Sequence, residues 1–359
     1  MLDSHTAYDE AIELLVQICS IPSYSREEEN KANYIQQWII SRGYQTEMIG
    51  NNIIVRSDSW DNDLPTLLLN SHIDTVRPSN MWDTPPHTPT TIDQQVFALG
   101  INDAGASLVT LLQVFRLLNN SNQKYNIIFL ASAEEEVSGK GGVESVVPYL
   151  ANIDLAIVGE PTNMQLAVAE RGLIVFDGCV RGKAGHAARQ EGVNAIYKAL
   201  PIIDSLRNFV FERVSPTLGY THLAVTQINA GSQHNVIPDS CNFVVDVRTN
   251  DHYTNQEIIE ILTEVSQDTL TPRSSRLQSS SLDISHPLCS RAAELGISLF
   301  GSPTLSDQSL MPWPSAKIGP GDSARSHTAN EYIYTYEIKD AIELYVELLD
   351  KLEIPKFSK

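Results

Sequence analysis

The run Leu67-Leu68-Leu69-Asn70-Ser71-His72-Ile73-Asp74-Thr75 constrains this chain more than any other stretch. Pro65 stands just before it, and its first residues are apolar in succession. That is the pattern of a short strand buried on both faces in the middle of a parallel sheet. The strand runs into His-x-Asp. Residues two apart in extended chain point the same way, so His72 and Asp74 can act as a pair. An imidazole is a good zinc ligand, and a carboxylate on its other ring nitrogen fixes the tautomer and raises ligand basicity. Open α/β sheets keep their sites at the carboxyl ends of strands. An isolated His-x-Asp is more often a histidine capped by a neighbouring acid. The weight comes from acids and a second histidine further along.

Periodicity extends the pattern on both sides. Helical spacing covers 7–20, and Ser25 with Glu28 three residues later reads as a capping box opening a helix to Arg42, closed by Gly43. Strands are expected at 46–49 and 53–56 around the turn Gly50-Asn51-Asn52, then at 126–131 and 155–158. Helices are expected at 106–118 and 139–150. Such alternation implies α/β architecture: a parallel-rich sheet with helices on both faces. After Glu170 the pattern changes. Strands at 173–180, 222–228 and 243–247, with helices at 194–211 and 255–268, point to an inserted α+β domain of ferredoxin-like order with an antiparallel sheet. The α/β pattern resumes with a helix at 288–299, a strand at 316–318 and a closing helix at 335–352.

A chain of 359 residues is too long for one ordinary core. The expected division is 1–170 with 283–359 as one domain and 171–282 as the insertion, the Ser-rich 274–281 marking a boundary. With 25 Lys+Arg against 44 Asp+Glu, the formal charge is −19, which argues against nucleic acid or an anionic membrane as partner. The first residues carry no basic, apolar leader pattern, and no apolar run approaches a membrane span. Cys19, Cys179, Cys241 and Cys289 are scattered and read as reduced core thiols, so the expected location is cytoplasmic.

Four polar clusters follow predicted strands as His72 does. They are Asp103 in Gly100-Ile101-Asn102-Asp103, Glu134-Glu135-Glu136, Glu160 in Gly159-Glu160-Pro161-Thr162, and His327 in the 319–328 loop. Singly, each has an ordinary explanation: helix capping for Asp103, a solvated loop for the three glutamates, turn capping for Glu160, and no role for a lone loop histidine. Jointly, two histidines and three carboxylates at strand ends of one sheet suit a pair of Zn²⁺ or Co²⁺ ions with one carboxylate bridging. Such a pair would hold a nucleophilic water and polarise a carbonyl, and an acid outside the ligand set could carry a proton to a leaving amine.

These residues resemble, in order and nearly over the whole chain, the five signatures of the M20 metallopeptidase and deacylase family. The resemblance implies a zinc-exopeptidase-like catalytic domain with an inserted lid and dimerisation domain. It implies that His72 and Glu160 bind one metal, Glu136 and His327 the other, and that Asp103 bridges. Asp74 would orient His72, and Glu135 would be the general acid/base. Three identical residues leave a register shift by one open, the family's leading acid falling on Glu134. Relatives often carry a basic residue where Asn102 precedes Asp103. Gly182-Lys183-Ala184-Gly185-His186 resembles the lid segment whose histidine stabilises the oxyanion in the partner subunit. Asn235 and Arg248 resemble its substrate contacts, the guanidinium suiting a carboxylate. The expected function is removal of an N-acyl group from a small amino acid by a cytoplasmic homodimer. Acetylornithine deacetylase, of arginine biosynthesis, looks closest. Acyl-citrulline, succinyl-diaminopimelate, a metal-dependent dipeptidase or carboxypeptidase, and a binding protein that has kept the fold are the alternatives.

Overall fold

A computed structural model describes residues 2–119, 121–150, 152–189 and 191–357; the expected outer limits at Met1 and Lys359 lie outside the described residues. The chain forms two compact units. One comprises 1–168, 281–300 and 306–359, and the other 169–280 with 301–305.

The first unit is built on a mixed sheet. Seven of its nine strands lie in the order Thr46–Ile49, Asn52–Arg56, Asn126–Ser132, Thr66–His72, Leu155–Val158, Ser315–Lys317 and Leu166–Glu170, the last pairing also with Ser280–Ser281 and Leu299–Ser302. The four strands from Asn126–Ser132 to Ser315–Lys317 are mutually parallel, and those flanking them are antiparallel. The parallel centre is where the apolar run of 67–69 sits, every residue of the Thr66–His72 strand being buried. Alternation sends its side chains to two separate cores. Leu67 and Leu69 join Ile127, Phe129, Leu111, Phe115 and Tyr345 on the face covered by the long helices. Leu68 joins Ile128, Leu130, Ala156, Val143 and Val146 on the other. Because both faces are buried, a register slip would gain nothing on one face that it did not lose on the other.

Helices Ser4–Cys19, Ala106–Asn119 and Thr335–Leu349 follow the expected spacing. Three expectations fail for local reasons. The capping box at Ser25 does not form: the helix starts at Glu29, Glu28 caps it without a side-chain bond, and Ser25 donates to Asp74 instead. The helix expected over 139–150 shrinks to Val143–Val146 and a 3₁₀ turn at Val147–Tyr149, since Gly139, Gly141 and Gly142 wrap tightly round Glu134 and the Ala133 carbonyl. The helix expected to Leu299 ends at Glu294, with Gly296 at φ +75° turning the chain into the Leu299–Ser302 strand.

The second unit is an antiparallel sheet in the order His222–Ala230, Ser240–Thr249, Gly172–Arg181 and Leu270–Pro272, with helices Ala195–Asn208 and Asn255–Val265. Alternate residues of the two central strands, among them Phe176, Phe243, Val245 and Val247, pack with Leu206, Ile258 and Leu262. Asn194 caps the first helix, and Thr254 with Glu257 forms a true capping box on the second. An added two-strand pairing joins Gly185–His186 to Val236–Ile237. All four cysteines are free thiols, three of them buried. No helix among the described residues is long and apolar enough to cross a membrane.

Candidate metal centre

Four neighbouring parallel strands end on the same side of the first unit, and each delivers a polar group there. His72 is the last residue of its strand. Asn126–Ser132 leads into Glu134, whose left-handed backbone (φ +54°) turns the chain so that Glu135 and Glu136 follow in a 3₁₀ turn. Leu155–Val158 is followed by Glu160, and Ser315–Lys317 by the loop that ends in His327, also left-handed at φ +59°. A non-glycine residue in that region needs its surroundings to hold it.

The donor atoms gather into two groups that share one residue: His72, Asp103 and Glu160, and Asp103, Glu136 and His327. Asp103 Oδ1 lies 3.1 Å from His72 Nε2, and its Oδ2 lies 3.6 Å from His327 Nε2. Glu160 Oε1 is 3.9 Å from His72 Nε2, and Glu136 Oε2 is 2.9 Å from His327 Nε2. Donors on one Zn²⁺ with bonds of about 2.0–2.2 Å stand about 3–4 Å apart, so the spacing fits. Glu160 Oε1 is moreover buried without a hydrogen-bond partner among the described residues. A buried carboxylate oxygen left so is costly unless a cation meets it. These five residues could therefore hold two divalent ions, with one Asp103 oxygen facing each.

Glu134 is drawn away from the pocket. Gly141 N–H donates to its Oε2 at 3.3 Å, and Arg26 approaches the same oxygen at 3.7 Å. Glu135 belongs to neither donor group. Burial raises its pKa well above the usual carboxyl range, and the charges of Glu160, Asp307 and Glu136 add to that against the opposing pull of His72. Glu160 is pushed up to about 8, first by burial. Burial alone would lower His72, but its bonds to Asp103 and Asp74 outweigh that and hold it well above the ordinary imidazole value.

Asp74 faces His72 differently from the simple pair. His72 Nδ1 is 3.0 Å from the Asp74 main-chain carbonyl and 3.4 Å from Oδ1. The Asp74 carboxylate accepts from Glu135 N–H (3.0 Å), Glu136 N–H (3.2 Å) and the Ser25 hydroxyl (2.7 Å). It thus ties the His72 strand end to the glutamate turn. Sequence reasoning missed Ser25 in this role because Ser-x-x-Glu reads as a helix cap. It also missed Asp307, a buried acid whose Oδ2 accepts from the Ser132 hydroxyl at 2.6 Å and from the Asn70 amide at 3.2 Å. Its only signal was a lone acid in a loop.

His186, Asn235 and Arg248 belong to the second unit. His186 is exposed, and its Nδ1 accepts from Ala188 N–H at 3.2 Å. That bond leaves the proton of the neutral ring on Nε2. The Asn235 carbonyl accepts from Ala187 N–H, keeping the two segments together. Arg248 is bound in a fork by Asp246, at 2.8 and 3.1 Å.

Residues 168–273 match the peptidase dimerisation domain, and residues 52–197 match peptidase family M28. Acetylornithine deacetylase of Shigella sonnei is 29% identical over 307 residues, 79% of each chain. Succinyl-diaminopimelate desuccinylase of Wolbachia pipientis is 25% identical over 271 residues, 71% of this chain and 68% of that protein. The fold is similar to that of a Staphylococcus aureus tripeptidase (TM-score 0.75, 19% identity, 95% and 97% covered). It is also similar to a dinuclear metal binding peptidase from the M20 family of Bacillus subtilis (TM-score 0.73, 17% identity, 96% and 98% covered).

Proposed function

We propose that this chain, a member of the M20 family of metallopeptidases and deacylases and a metal-dependent hydrolase of amide bonds, removes an N-acyl group from a small amino acid. The observation that carries the reading is the pair of donor groups sharing Asp103, with the half-buried Glu135 beside them and outside both. His72, Glu160 and Asp103 would hold one ion, and Asp103, Glu136 and His327 the other. Zn²⁺ suits this mixed nitrogen and oxygen set, with Co²⁺ as a substitute. When bound, such a pair polarises the acyl carbonyl and makes water nucleophilic near neutral pH.

Glu135 then takes the proton of the attacking water and delivers it to the departing amine nitrogen, so that amide and water give carboxylate and amine. A carboxyl with a raised pKa is suited to carrying a proton both ways. Asp74 holds the tautomer of His72 and the main chain under Glu135. The relatives that act on acetyl- and succinyl-amino acids support a deacylase, with N-acetylornithine as the first substrate to test. In this reading Asn235 lies against substrate, and a substrate carboxylate would compete with Asp246 for Arg248.

The test is a hydrolysis panel of N-acetyl- and N-succinyl-ornithine, -citrulline and -diaminopimelate against unblocked dipeptides, with Zn²⁺ or Co²⁺ present. Turnover of one N-acyl compound well above every dipeptide is expected. Preferential cleavage of dipeptides would replace the deacylase reading by a peptidase.

We further propose a homodimer in which His186 serves the partner's site, donating its Nε2–H to the developing oxyanion. His186→Ala should lower turnover by about 10²–10³, the scale of one lost oxyanion donor, with metal content unchanged. Mixing His186→Ala with Glu135→Gln subunits places both changes in one site and neither in the other. Activity should return to roughly a quarter of wild type on random reassortment. No recovery after proven subunit exchange would mean that His186 acts within its own subunit or not at all.

A further inference from the structure

We propose that Glu331 is the positioning residue that sets Asp103 between the two donor groups, and that Asn102 braces the same loop against the segment bearing His327. The inference rests on reading Asp103 as a ligand shared by two ions.

Asp103 does not sit in regular structure. Its backbone (φ −119°, ψ 95°) is non-helical, and Ile101–Gly105 is a single irregular turn before the Ala106–Asn119 helix. At such a helix start the first amides, here those of Asn102 and Asp103, have no partner within the helix. The Glu331 carboxylate, 1% exposed, supplies the partners instead. Its Oε1 accepts from Asn102 N–H at 2.8 Å and from Asp103 N–H at 2.9 Å, and its Oε2 accepts from Gly100 N–H at 3.0 Å. Gly100 reaches this arrangement at φ +72°, where a Cβ would meet Thr75 Cγ2 at 2.3 Å. Carboxyl oxygens are good acceptors for main-chain N–H groups. Three of them from one loop onto one carboxylate fix both the position and the direction of the residue that follows.

The second brace is Asn102, which is fully buried. Its Oδ1 accepts from Asp322 N–H at 3.2 Å, and its Nδ2 donates to the Asp322 carbonyl at 3.1 Å and to Ser326 Oγ at 3.2 Å. Asn102 adjoins Asp103, and Ser326 adjoins His327. Glu331 itself lies four residues beyond His327. The shared carboxylate and one histidine are therefore held by a common pair of side chains, neither of which belongs to either donor group. An asparagine, with one acceptor and one donor end, meets the Asp322 main chain on both sides; a cationic side chain here could not accept from Asp322 N–H.

Positioning predicts a specific defect. Glu331→Gln keeps one acceptor oxygen but turns an amide donor toward an N–H that needs an acceptor. Because Asp103 serves both groups, both ions should bind more weakly, by about 10–100-fold each, the usual effect of removing a partner that orients a ligand. The experiment titrates metal-free protein with Co²⁺, following visible absorption, with bound metal measured directly in buffers of fixed free Co²⁺. Wild type should take up two equivalents. Glu331→Gln should weaken both steps and alter the absorption of both ions, while the metal-free variant still melts in one cooperative transition. Glu331→Asp, which keeps a carboxyl group on a shorter arm, should recover part of the affinity.

If wild type fails to bind two ions, the functional reading falls and the inference with it. If wild type binds two and Glu331→Gln binds both equally tightly, or loses only one, the inference alone is wrong. Should metal-free Glu331→Gln not melt cooperatively, Glu331→Asp takes its place in the same titration. If neither variant melts cooperatively, Glu331 holds the fold rather than the ligand, and the proposal is overturned.

Discussion

Glu135→Gln should keep its metal and lose turnover by about 10²–10⁴-fold or more, because the change preserves shape and removes the proton carrier. Glu136→Gln should behave differently. Glu136 Oε2 stands 2.9 Å from His327 Nε2, inside a donor group, so its loss should release one ion. Metal content and steady-state rates on the two purified variants separate these cases. If Glu135→Gln lost the ion and Glu136→Gln kept it, the two roles would be exchanged and the chemistry would have to be reassigned by one residue. Glu134→Gln should leave metal content unchanged, since its carboxylate binds Gly141 N–H and faces Arg26.

Stripping the metal should abolish activity and lower the melting temperature. The ligand carboxylates and Glu135 crowd one pocket, and their mutual repulsion is relieved by cations. An ion present at 100 times its Kd contributes about 2.7 kcal/mol of stability. At about 2–4 °C per kcal/mol for a unit of this size, two ions should raise the transition by about 10 °C or more. The effect should depend on pH with a defined sign. Glu160, pushed up to about 8, holds a proton below that value, and a metal must displace it. Apparent affinity should therefore fall as pH falls. Calorimetry with and without chelator, at two pH values, measures both effects. Full activity in a preparation free of metal would sink the reading.

Much of this was legible along the chain. Consecutive apolar residues at 67–69, 127–130 and 155–158 can be buried only on both faces, so they specify parallel central strands, and polar residues at their ends then fall on one side. In the second unit, alternation in 173–180, 222–228 and 243–247 pointed to an antiparallel sheet, and burial does alternate along Gly172–Arg181 and Ser240–Thr249. The change from one pattern to the other marked where the chain passes between units.

Local pattern misled wherever a side chain had a distant partner. Ser25 carries a helix-cap signal, yet it bonds Asp74, 49 residues away, because a buried carboxylate offers a stronger acceptor than an exposed helix end. Glu134, Glu135 and Glu136 are chemically identical, and the left-handed turn at Glu134 separates an acid bound to Gly141 N–H, a half-buried acid outside the donor groups and a member of one of them. Asp307 gave no signal beyond being a single acid in a loop, and Glu331 stood out only as the end of the His327-Thr328-Ala329-Asn330-Glu331 segment, with nothing local to show that it binds the Asp103 loop. Sequence determined which residue types could assemble at the strand ends. Tertiary structure decided which oxygen faces which nitrogen, because that depends on contacts between segments up to 231 residues apart, and no local spacing encodes them.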